Sequence, residues 1–385
     1  MPTVTPITRN ILIIAGDVSG DLHAANLIKA LKQQDPEMQI TAIGGKRMQE
    51  VSDRFIYDLA AAGATGFIEP VKKMPLWINL LSQIREYMET QNPVAIIVVD
   101  FYGFNHQVLG MAKHRNIPAY YYVTPQVWAS RQYRAKKLAM LTKKMFVIYP
   151  FEPAFHQKFG GNAVFLGSPL VDIMPDAQSK SYDIADPKNY AWKLGLLPGS
   201  RGGEIKRHTP IFYQTFKKVL KEFPNTQAYL FILPDADEKV FLDLIGEKPH
   251  ENFHIVKDNQ YELRRQMDFL LSKSGTATLE NAMLGIPMLV AYKMFWPTYR
   301  IAKAVIKVPY ISLVNLLAQN PPLVKEFIQA DANVNALSAE VMGMFQNPQR
   351  LQTMHEELMK IRASLGEKGV AARAAENILG DIKKH

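Results

Sequence analysis

The strongest constraint on the fold is a regular alternation of short apolar runs with helical patterns. In the first half of the chain the apolar runs occupy residues 11–15, 40–44, 94–100, 119–124, 145–149 and 163–167. Helical patterns, such as residues 22–33 and 104–115, separate them. Short continuous apolar runs predict strands that are buried on both faces. Their alternation with helices predicts a parallel sheet covered on both sides.

The same alternation begins again in the second half. Further strands are predicted at residues 192–197, 227–233, 253–256, 268–272 and 287–292. A long helix over residues 203–222 should end at Phe223-Pro224, because proline disfavours helical backbone in the residue before it. The predicted fold class is therefore α/β, with two Rossmann-like domains in tandem.

The expected domain bounds follow from these patterns. They are an N-terminal domain over residues 1–171, a linker over 172–190, a second domain over 191–331 and a helical tail over 332–385 that packs back across the domains. Asn347-Pro348 and the glycines at 366 and 369 should interrupt the tail. Since doubly wound sheets bind ligands at the carboxyl ends of their strands, we expect the site in the cleft between the domains.

Composition narrows the classes of function. The chain has 385 residues and no cysteine, which excludes disulfides and thiolate chemistry. Its start lacks a signal-peptide pattern and no run approaches about 18 apolar residues, so we expect a cytoplasmic protein without a spanning helix. The net charge of +9 comes from scattered pairs such as Lys72-Lys73. This charge fits either a solvated basic surface or an anionic partner. Because the sequence has no zinc-finger or RNP pattern, we expect no nucleic-acid partner.

A glycine-flanked turn, Gly16 to Asp21 (GDVSGD), follows the first predicted strand. Its glycine spacing differs from the G-x-G-x-x-G dinucleotide fingerprint, which argues against a dehydrogenase. Glycines at this point can bring backbone N–H groups close to a ligand. The alternative is a tight strand-to-helix turn with Asp21 as the helix N-cap.

Two turns in the second half are suited to a diphosphate. They are residues 197–204 (LPGSRGGE) and 274–280 (SGTATLE), each between a predicted strand and a predicted helix. Backbone donors, hydroxyls and the Arg201 guanidinium can bind phosphate there, while Glu280 could accept hydrogen bonds from ribose hydroxyls. The first turn lacks the Walker lysine, so it is not an NTPase loop. Ordinary helix caps are the alternative.

A fourth motif spans residues 122–131 (YVTPQVWASR). The predicted strand ends at Pro125, which should expose Gln126, Trp128 and Arg131. An aromatic ring beside a guanidinium suits a sugar face and a phosphate. The alternative is that Trp128 packs in the core.

Two segments combine apolar, aromatic and basic residues as interfacial helices do. Around residues 66–78 we expect Phe67, Ile68, Leu76 and Trp77 to contact a membrane surface. An ordinary core helix is the alternative there. Residues 293–307 (KMFWPTYRIAKAVIK) form the second candidate.

Over residues 11 to 330 the chain resembles the lipid-A-disaccharide synthases. Seven segments occur in that family's order: GDVSGD, VTPQVWASRQ, YPFEPAFHQKFG, GSPL, LLPGSRGGEI, SGTATLENAMLGIPMLVAYK and VPYISLVNLLA. The resemblance implies the glycosyltransferase B fold. It implies inverting transfer of diacylated glucosamine from UDP to a diacylglucosamine 1-phosphate, giving a β-1,6 disaccharide and UDP without a metal. It also implies peripheral contact with the anionic inner face of the inner membrane, and leaves a homodimer open.

The resemblance assigns residues to three roles. The donor side would be Gly199, Ser200, Arg201, Ser274, Gly275, Thr276, Thr278 and Glu280, with Arg201 also catalytic. The base would be Asp100 or Asp17, and the acceptor side would be Ser19, Asn105, Gln126, Trp128, Arg131 and Asn315.

Three positions depart from the family pattern. Asp17 stands where the family has glutamate, Ser168 where it has histidine, and Gly103 where it has the second aspartate of D-x-P-D-F-N. An inverting transfer needs a base for the acceptor hydroxyl, so the Gly103 change leaves the base open. Two other functions stay open with it. One is a UDP-sugar enzyme with another acceptor, or a 2-epimerase, and the other is a non-catalytic UDP- or lipid-binding relative.

Overall fold

A computed structural model describes residues 9–63, 74–257, 261–306, 308–318 and 321–383. The strands are β1 (Asn10–Ala15), β2 (Gln39–Gly44), β3 (Arg54–Asp58), β4 (Ala95–Val99), β5 (Ala119–Tyr122), β6 (Lys144–Val147), β7 (Ala163–Phe165), β8 (Lys193–Leu197), β9 (Gln227–Ile232), β10 (Phe253–Lys257), β11 (Phe269–Lys273), β12 (Met288–Tyr292) and β13 (Glu326–Ile328). The helices are α1 (Val18–Gln34), α2 (Lys46–Val51), α3 (Leu59–Gly63), α4 (Met74–Gln91), α5 (Tyr102–His114), α6 (Tyr133–Leu141), α7 (Glu152–Gln157), α8 (Leu170–Ile173), α9 (Gly202–Glu222), α10 (Glu238–Ile245), α11 (Thr276–Met283), α12 (Trp296–Val305), α13 (Leu313–Ala318), α14 (Val334–Gln346), α15 (Pro348–Ser364) and α16 (Val370–Ile382).

The chain divides into two compact units. Unit 1 comprises Met1–Asp172 and Leu365–His385, and unit 2 comprises Ile173–Ser364. Each unit is built on one parallel sheet with helices packed against it. The predicted α/β class with two Rossmann-like sheets is confirmed.

The sheet of unit 1 has the strand order β3-β2-β1-β4-β5-β6-β7. The central strand β1 is apolar after Asn10, and Ile11 to Ala15 are inaccessible to solvent. The order reverses beside β1, so the loops after β1 and β4 are adjacent at the carboxyl edge. The sequence analysis missed β3, a half-exposed edge strand whose charged ends hide its pattern.

The sheet of unit 2 has the order β10-β9-β8-β11-β12-β13. Here β8 pairs with both β9 and β11, so the loops after β8 and β11 lie side by side. The long helix α9 ends at Glu222 with Phe223 as its C-cap, as the following proline predicts. The three-residue strand β13 was not predicted, because it is too short to show a periodicity.

The segment predicted as a linker belongs mostly to unit 2. Tyr182 is buried in the core of that unit and its hydroxyl donates to the Asp268 carbonyl at 3.2 Å. Lys180 forms an ion pair of 2.6 Å with the Asp268 carboxylate. The proline-rich and polar composition of this segment predicted a linker, but these contacts hold the segment against the sheet of unit 2.

The helical tail divides at its second predicted break. Helices α14 and α15 belong to unit 2 and α16 belongs to unit 1. Asp172 accepts hydrogen bonds from the backbone N–H groups of Gly369, Val370 and Ala371, and so caps the start of α16. The apolar face of α16 then packs on α1.

The GSPL segment contacts the part of the chain that returns to unit 1 before α16. The Ser168 N–H donates to the Leu365 carbonyl at 2.8 Å. Gly167 has φ +110°, and a Cβ there would lie 2.9 Å from Val370. This motif therefore has a packing role within unit 1.

Within the described residues, no helix combines the length and apolarity needed to cross a membrane.

Candidate active site

A pocket of about 490 Å³ opens at the carboxyl edge of the unit 2 sheet. The two loops predicted to bind a diphosphate form its floor. Gly199 has φ +114°, and a Cβ at this position would lie 2.6 Å from a carboxylate oxygen of Glu204. A side chain here would therefore be strained and crowded, which explains the glycine.

Two helices begin at this pocket and direct backbone N–H groups toward it. Arg201 is the N-cap of α9, and its guanidinium is well exposed. Gly275 is the N-cap of α11 and has no side chain that could accept the first N–H groups. Unpaired N–H groups and the positive end of the helix dipole favour an anion at such positions.

The hydroxyl residues of the second loop play different parts. The Ser274 hydroxyl donates to the Ile311 carbonyl at 2.8 Å, and the Thr278 hydroxyl donates to the Gly275 carbonyl at 2.7 Å. Thr278 is fully buried and holds the loop, although its residue type suggested a ligand contact. Ser200 and Thr276 are exposed and line the pocket.

Glu280 lines the same pocket, one turn into α11, and has a partner that the sequence did not reveal. Its Oε2 accepts from the Arg264 guanidinium at 3.0 Å. Arg264 is itself nearly buried, with its guanidinium 5.6 Å from the centre of the Phe231 ring. Phe231 and Leu233 line the adjoining wall, so the pocket combines an apolar side with a carboxylate held in a fixed place.

Lys273 was also missed by the sequence analysis. It ends β11, and its ammonium forms an ion pair of 3.0 Å with Glu204 Oε1. Both side chains are largely buried, at 16% and 10% exposure. A lysine that ends an apolar strand carries no motif of its own, so only the fold reveals its position.

His208 ties together the backbone around this pocket. Its Nε2 accepts from the Lys293 N–H at 2.9 Å, so the proton resides on Nδ1, which donates to the Pro198 carbonyl at 3.0 Å. Burial lowers the pKa of His208 to about 4. The ring is therefore neutral near pH 7 and links the loops after β8 and β12.

At the carboxyl edge of unit 1, the GDVSGD motif is a helix cap. Asp17 is the N-cap of α1, and its Oδ1 accepts from the Gly20 N–H at 2.6 Å. Asp21, the cap in the alternative interpretation of this turn, is buried and accepts from the N–H groups of Gly45, Arg47 and Met48 instead. Asp21 therefore stabilises the start of α2.

Asp100 stands on the neighbouring loop, directly after β4, in an unusual backbone conformation. Asp100 and Phe101 have φ values of +43° and +46°, a conformation that costs non-glycine residues about 1–3 kcal/mol each. The Asn105 amide donates to the Val99 and Asp100 carbonyls, at 3.1 and 2.8 Å, and the Tyr121 hydroxyl also donates to the Asp100 carbonyl. These bonds hold the strained turn. Such strain is concentrated at functional sites.

The Asp100 carboxyl has a raised pKa. Burial is the main cause and the nearby Asp17 carboxylate adds to it, so that the pKa of Asp100 is about 6. Close packing maintains this environment, since the Phe101 ring lies where a Cβ on Gly16 would be, 2.0 Å away. A carboxylate with a pKa near neutrality is suited to general-base catalysis.

Gly103 lies in the first turn of α5, three residues after Asp100. A Cβ built on it would have no heavy atom within 4 Å, and the residue is exposed. An aspartate at this position, as in the family pattern, would therefore fit without steric conflict.

Trp128 is a packing residue. It is 5% exposed, its rings contact Tyr149 and Phe151, and its Nε1 donates to Glu152 Oε1 at 2.9 Å. Burial raises the pKa of Glu152 to about 7, against three hydrogen bonds that lower it. The buried tryptophan and carboxyl fix the loop from which Gln126 extends.

The remaining predicted acceptor-side residues separate into exposed and buried ones. Ser19, Gln126 and Arg131 are exposed in unit 1, and the Gln126 amide donates to the Tyr149 hydroxyl at 3.4 Å. Asn105 is fully buried, and so is Asn315, which lies in unit 2 and bonds the Val324 backbone and Glu326. Burial suits these two amides to holding loops and not to contacting an acceptor.

The expected membrane segment is only partly described. Phe67 and Ile68 lie outside the described residues. On α4, Trp77 is half-buried and its ring packs against Phe101 and Phe104, with centroids 6.1 and 6.2 Å apart. Leu76 is also half-buried, so much of this face belongs to the unit 1 core.

The second basic and aromatic segment is more open. Phe295 and Trp296, at the start of α12, are both 62% exposed. Arg300 lies 5.1 Å from the centre of the Trp296 ring, and Lys303 is exposed on the same helix.

Two solved structures show what folds this chain is similar to. UDP-GlcNAc 2-epimerase from Neisseria meningitidis, bound to UDP-GlcNAc, superposes with a TM-score of 0.59 at 13% identity, covering 98% of this chain and 100% of that one. MurG of Acinetobacter baumannii gives a TM-score of 0.61 at 13% identity, covering 97% and 99%. At such identities the likeness shows the fold alone, which is the glycosyltransferase B fold.

Sequence relatives are more specific. Lipid-A-disaccharide synthase of Geobacter metallireducens is 32% identical over 99% of both chains. The enzyme of Syntrophus aciditrophicus is 33% identical over 98% of this chain and 99% of its own length, and synthase 1 of Legionella pneumophila is 34% identical over 94% of each. The model of the lipid-A-disaccharide synthetase family matches residues 11–379. The chain therefore belongs to the lipid-A-disaccharide synthetase family.

Proposed function

We propose that this chain transfers 2,3-diacylglucosamine from its UDP derivative to 2,3-diacylglucosamine 1-phosphate. The products are a β-1,6-linked disaccharide and UDP. Family membership supports a UDP-sugar-dependent glycosyltransferase. The observation that carries the proposal is the pocket of unit 2, where two helix N-termini and Arg201 meet an apolar wall and a positioned carboxylate.

On the donor side, the pocket matches the parts of a uridine diphosphate. The diphosphate would bind the N–H groups that begin α9 and α11, with Arg201 adding a charged donor. Glu280, held by Arg264, would accept from ribose hydroxyls, and the base would lie along Phe231. As the glycosidic C–O bond breaks, negative charge grows on the leaving UDP, and donors already in place stabilise it.

On the acceptor side, Asp100 would take the proton of the attacking hydroxyl. The hydroxyl oxygen then forms the new bond to the anomeric carbon from the face opposite UDP, which inverts the configuration. The pKa of about 6 leaves Asp100 mostly ionised at pH 7 while keeping it basic enough to accept a proton. Asp17, whose charge raises that pKa, is the second candidate.

Acyl chains on both substrates require contact with a membrane surface. The exposed Phe295 and Trp296, beside Arg300 and Lys303, favour α12 as the segment that lies on anionic lipid. On α4, the exposed Ile78 remains a contributor, while Trp77 is engaged in packing. We propose a peripheral association at the inner face of the inner membrane.

Mass spectrometry of the reaction products tests the proposed function. The purified chain should convert UDP-diacylglucosamine and diacylglucosamine 1-phosphate in detergent to a disaccharide 1-phosphate, with one UDP released per bond. Epimerisation of water-soluble UDP-GlcNAc in place of this product would show a 2-epimerase. Binding of UDP without any turnover would show a non-catalytic relative.

A further inference from the structure

The Lys273–Glu204 ion pair lies at the point where the two anion-binding loops of unit 2 come together. The Lys273 side chain runs past Gly199, where a Cβ would lie 3.2 Å from its Cγ. Its ammonium reaches Gly275, where a Cβ would lie 2.8 Å away. The charge therefore lies between the first loop and the second, and both glycines leave the space it occupies.

Glu204 already has a structural task that does not require a lysine. In the first turn of α9 it accepts from the Arg201 N–H at 3.4 Å, in the manner of a capping box. Its other oxygen accepts from Lys273 at 3.0 Å. The pair thus holds the ammonium in a fixed place beside the start of the helix.

Stability alone gives little reason for burying this pair. Removing two charges from water costs roughly what their attraction returns, so a buried ion pair contributes little net stability. A cation held between two helix N-termini, in contrast, adds directly to an anion site. Lysine is a common phosphate ligand because its ammonium is a compact charge.

We propose that Lys273 is a ligand of the donor diphosphate and that Glu204 positions its ammonium between the two loops. The inference rests on the proposed donor site in unit 2. When the nucleotide binds, one N–H group of the ammonium turns away from Glu204 and donates a hydrogen bond to a phosphate oxygen. As UDP leaves the sugar, Lys273 stabilises the charge that grows on it, together with Arg201.

Affinities for UDP and for uridine separate this role from a structural one. Lys273→Met should weaken UDP binding by about 10- to 150-fold, the range for a charge-assisted hydrogen bond. Binding of uridine, which has no phosphate, should change by less than about twofold. Calorimetry on the full chain measures the affinity for UDP, and ligand-observed NMR measures the affinity for uridine.

Two further variants complete the test. Lys325→Met removes an exposed lysine that pairs with Glu340 at 2.8 Å in the same unit, and as the control it should leave both affinities unchanged. Glu204→Gln keeps an acceptor for the Arg201 N–H but removes the charge that positions the ammonium, so it should weaken UDP binding by a smaller factor than Lys273→Met and leave uridine binding unchanged.

The outcomes distinguish the failure of this inference from the failure of the donor site. If Lys273→Met binds UDP as tightly as the parent chain, Lys273 is not a ligand, although the donor site stands. Equal losses of UDP and uridine affinity would show a structural role and also overturn the inference. If the parent chain itself fails to bind UDP, the proposed donor site is wrong and the inference falls with it.

Discussion

The carboxyl edges of the two sheets have the same architecture and opposite chemistry. In unit 1, the Asp17 carboxylate accepts from the Gly20 N–H in the first turn of α1, so that helix start already carries an anion. In unit 2, the N-cap of α11 is Gly275, which has no side chain to accept from the first N–H groups of the helix. The N-cap residue therefore decides whether a helix start at a sheet edge can bind an external anion.

The difference extends to the charges around each edge. Unit 1 gathers carboxyls, and their burial and mutual repulsion raise the pKa of Asp100. At the pocket of unit 2, two carboxylates are paired with cations, Glu204 with Lys273 and Glu280 with Arg264, and Arg201 lies beside them. The first edge is suited to accepting a proton and the second to holding a diphosphate.

Replacing Asp100 should give the largest effect. Asp100→Asn removes the proposed base, and a general base contributes roughly 100- to 10,000-fold, so kcat should fall by that factor. Asparagine tolerates left-handed backbone, so the turn should survive. Asp35→Asn, which removes a carboxylate paired with Arg9, is the matched control in the same unit. A variant that turns over like the parent chain would exclude Asp100 and direct attention to Asp17.

On the other edge, Arg201→Ala should weaken UDP binding by about 1.5–3 kcal/mol, the range for a hydrogen bond with a charged group. The side chain is well exposed, so the thermal midpoint should hardly change. Titration calorimetry measures the affinity. An unchanged dissociation constant would remove Arg201 from the donor site.

The pH profile sharpens the contrast between the edges. Because Asp100 must be ionised to act as a base, kcat/KM should rise with pH through about 6 and then level off. The Asp17 charge raises this pKa, so in Asp17→Asn the rising limb should move to lower pH. A limb that stays in place would mean that another group controls it.

Stability should respond to pH in opposite directions at the two edges. The raised pKa of Asp100 contributes stability that is present below pH 4 and lost as the pH rises through about 6. The lowered pKa of His208 contributes stability that is present above pH 6.5 and lost as the pH falls toward 4. Both groups therefore change the free energy of unfolding within the pH range in which the activity profile is measured.

A smaller gain is expected at Gly103. Gly103→Asp restores the family aspartate in open space, and a carboxylate in the first turn of α5 should add about 0.3–1 kcal/mol of stability. If the family geometry persists, turnover should also rise, whereas Gly103→Asn should leave it unchanged. Steady-state rates of the two variants, compared at equal UDP-sugar concentration, decide the point. Lower turnover in the aspartate variant would mean that the acceptor occupies this space.

The smallest effect is expected from chelation. Cationic side chains and helix N-termini can neutralise the diphosphate in unit 2, so EDTA should change turnover by less than about twofold. Activity that disappears with EDTA and returns with magnesium would contradict metal independence.

The sequence revealed the two sheets and the two loops of unit 2, because buried parallel strands and strand-to-helix turns have local signatures. It did not reveal Lys273 or Arg264, since their importance depends on strands that are distant in sequence. It left Trp128 open between a sugar contact and a core residue, and burial against Glu152 resolves that choice. Its alternative interpretation of the first turn placed the cap of α1 at Asp21, whereas Asp17 is the cap, because both are good capping residues.

The UDP affinity of Asp100→Asn tests the division of labour between the two edges most directly. We predict a dissociation constant within about twofold of the parent chain, because Asp100 belongs to the edge that takes the proton and not to the edge that holds the diphosphate. A loss comparable with the 1.5–3 kcal/mol, or roughly 10- to 150-fold, expected for Arg201→Ala would contradict that division.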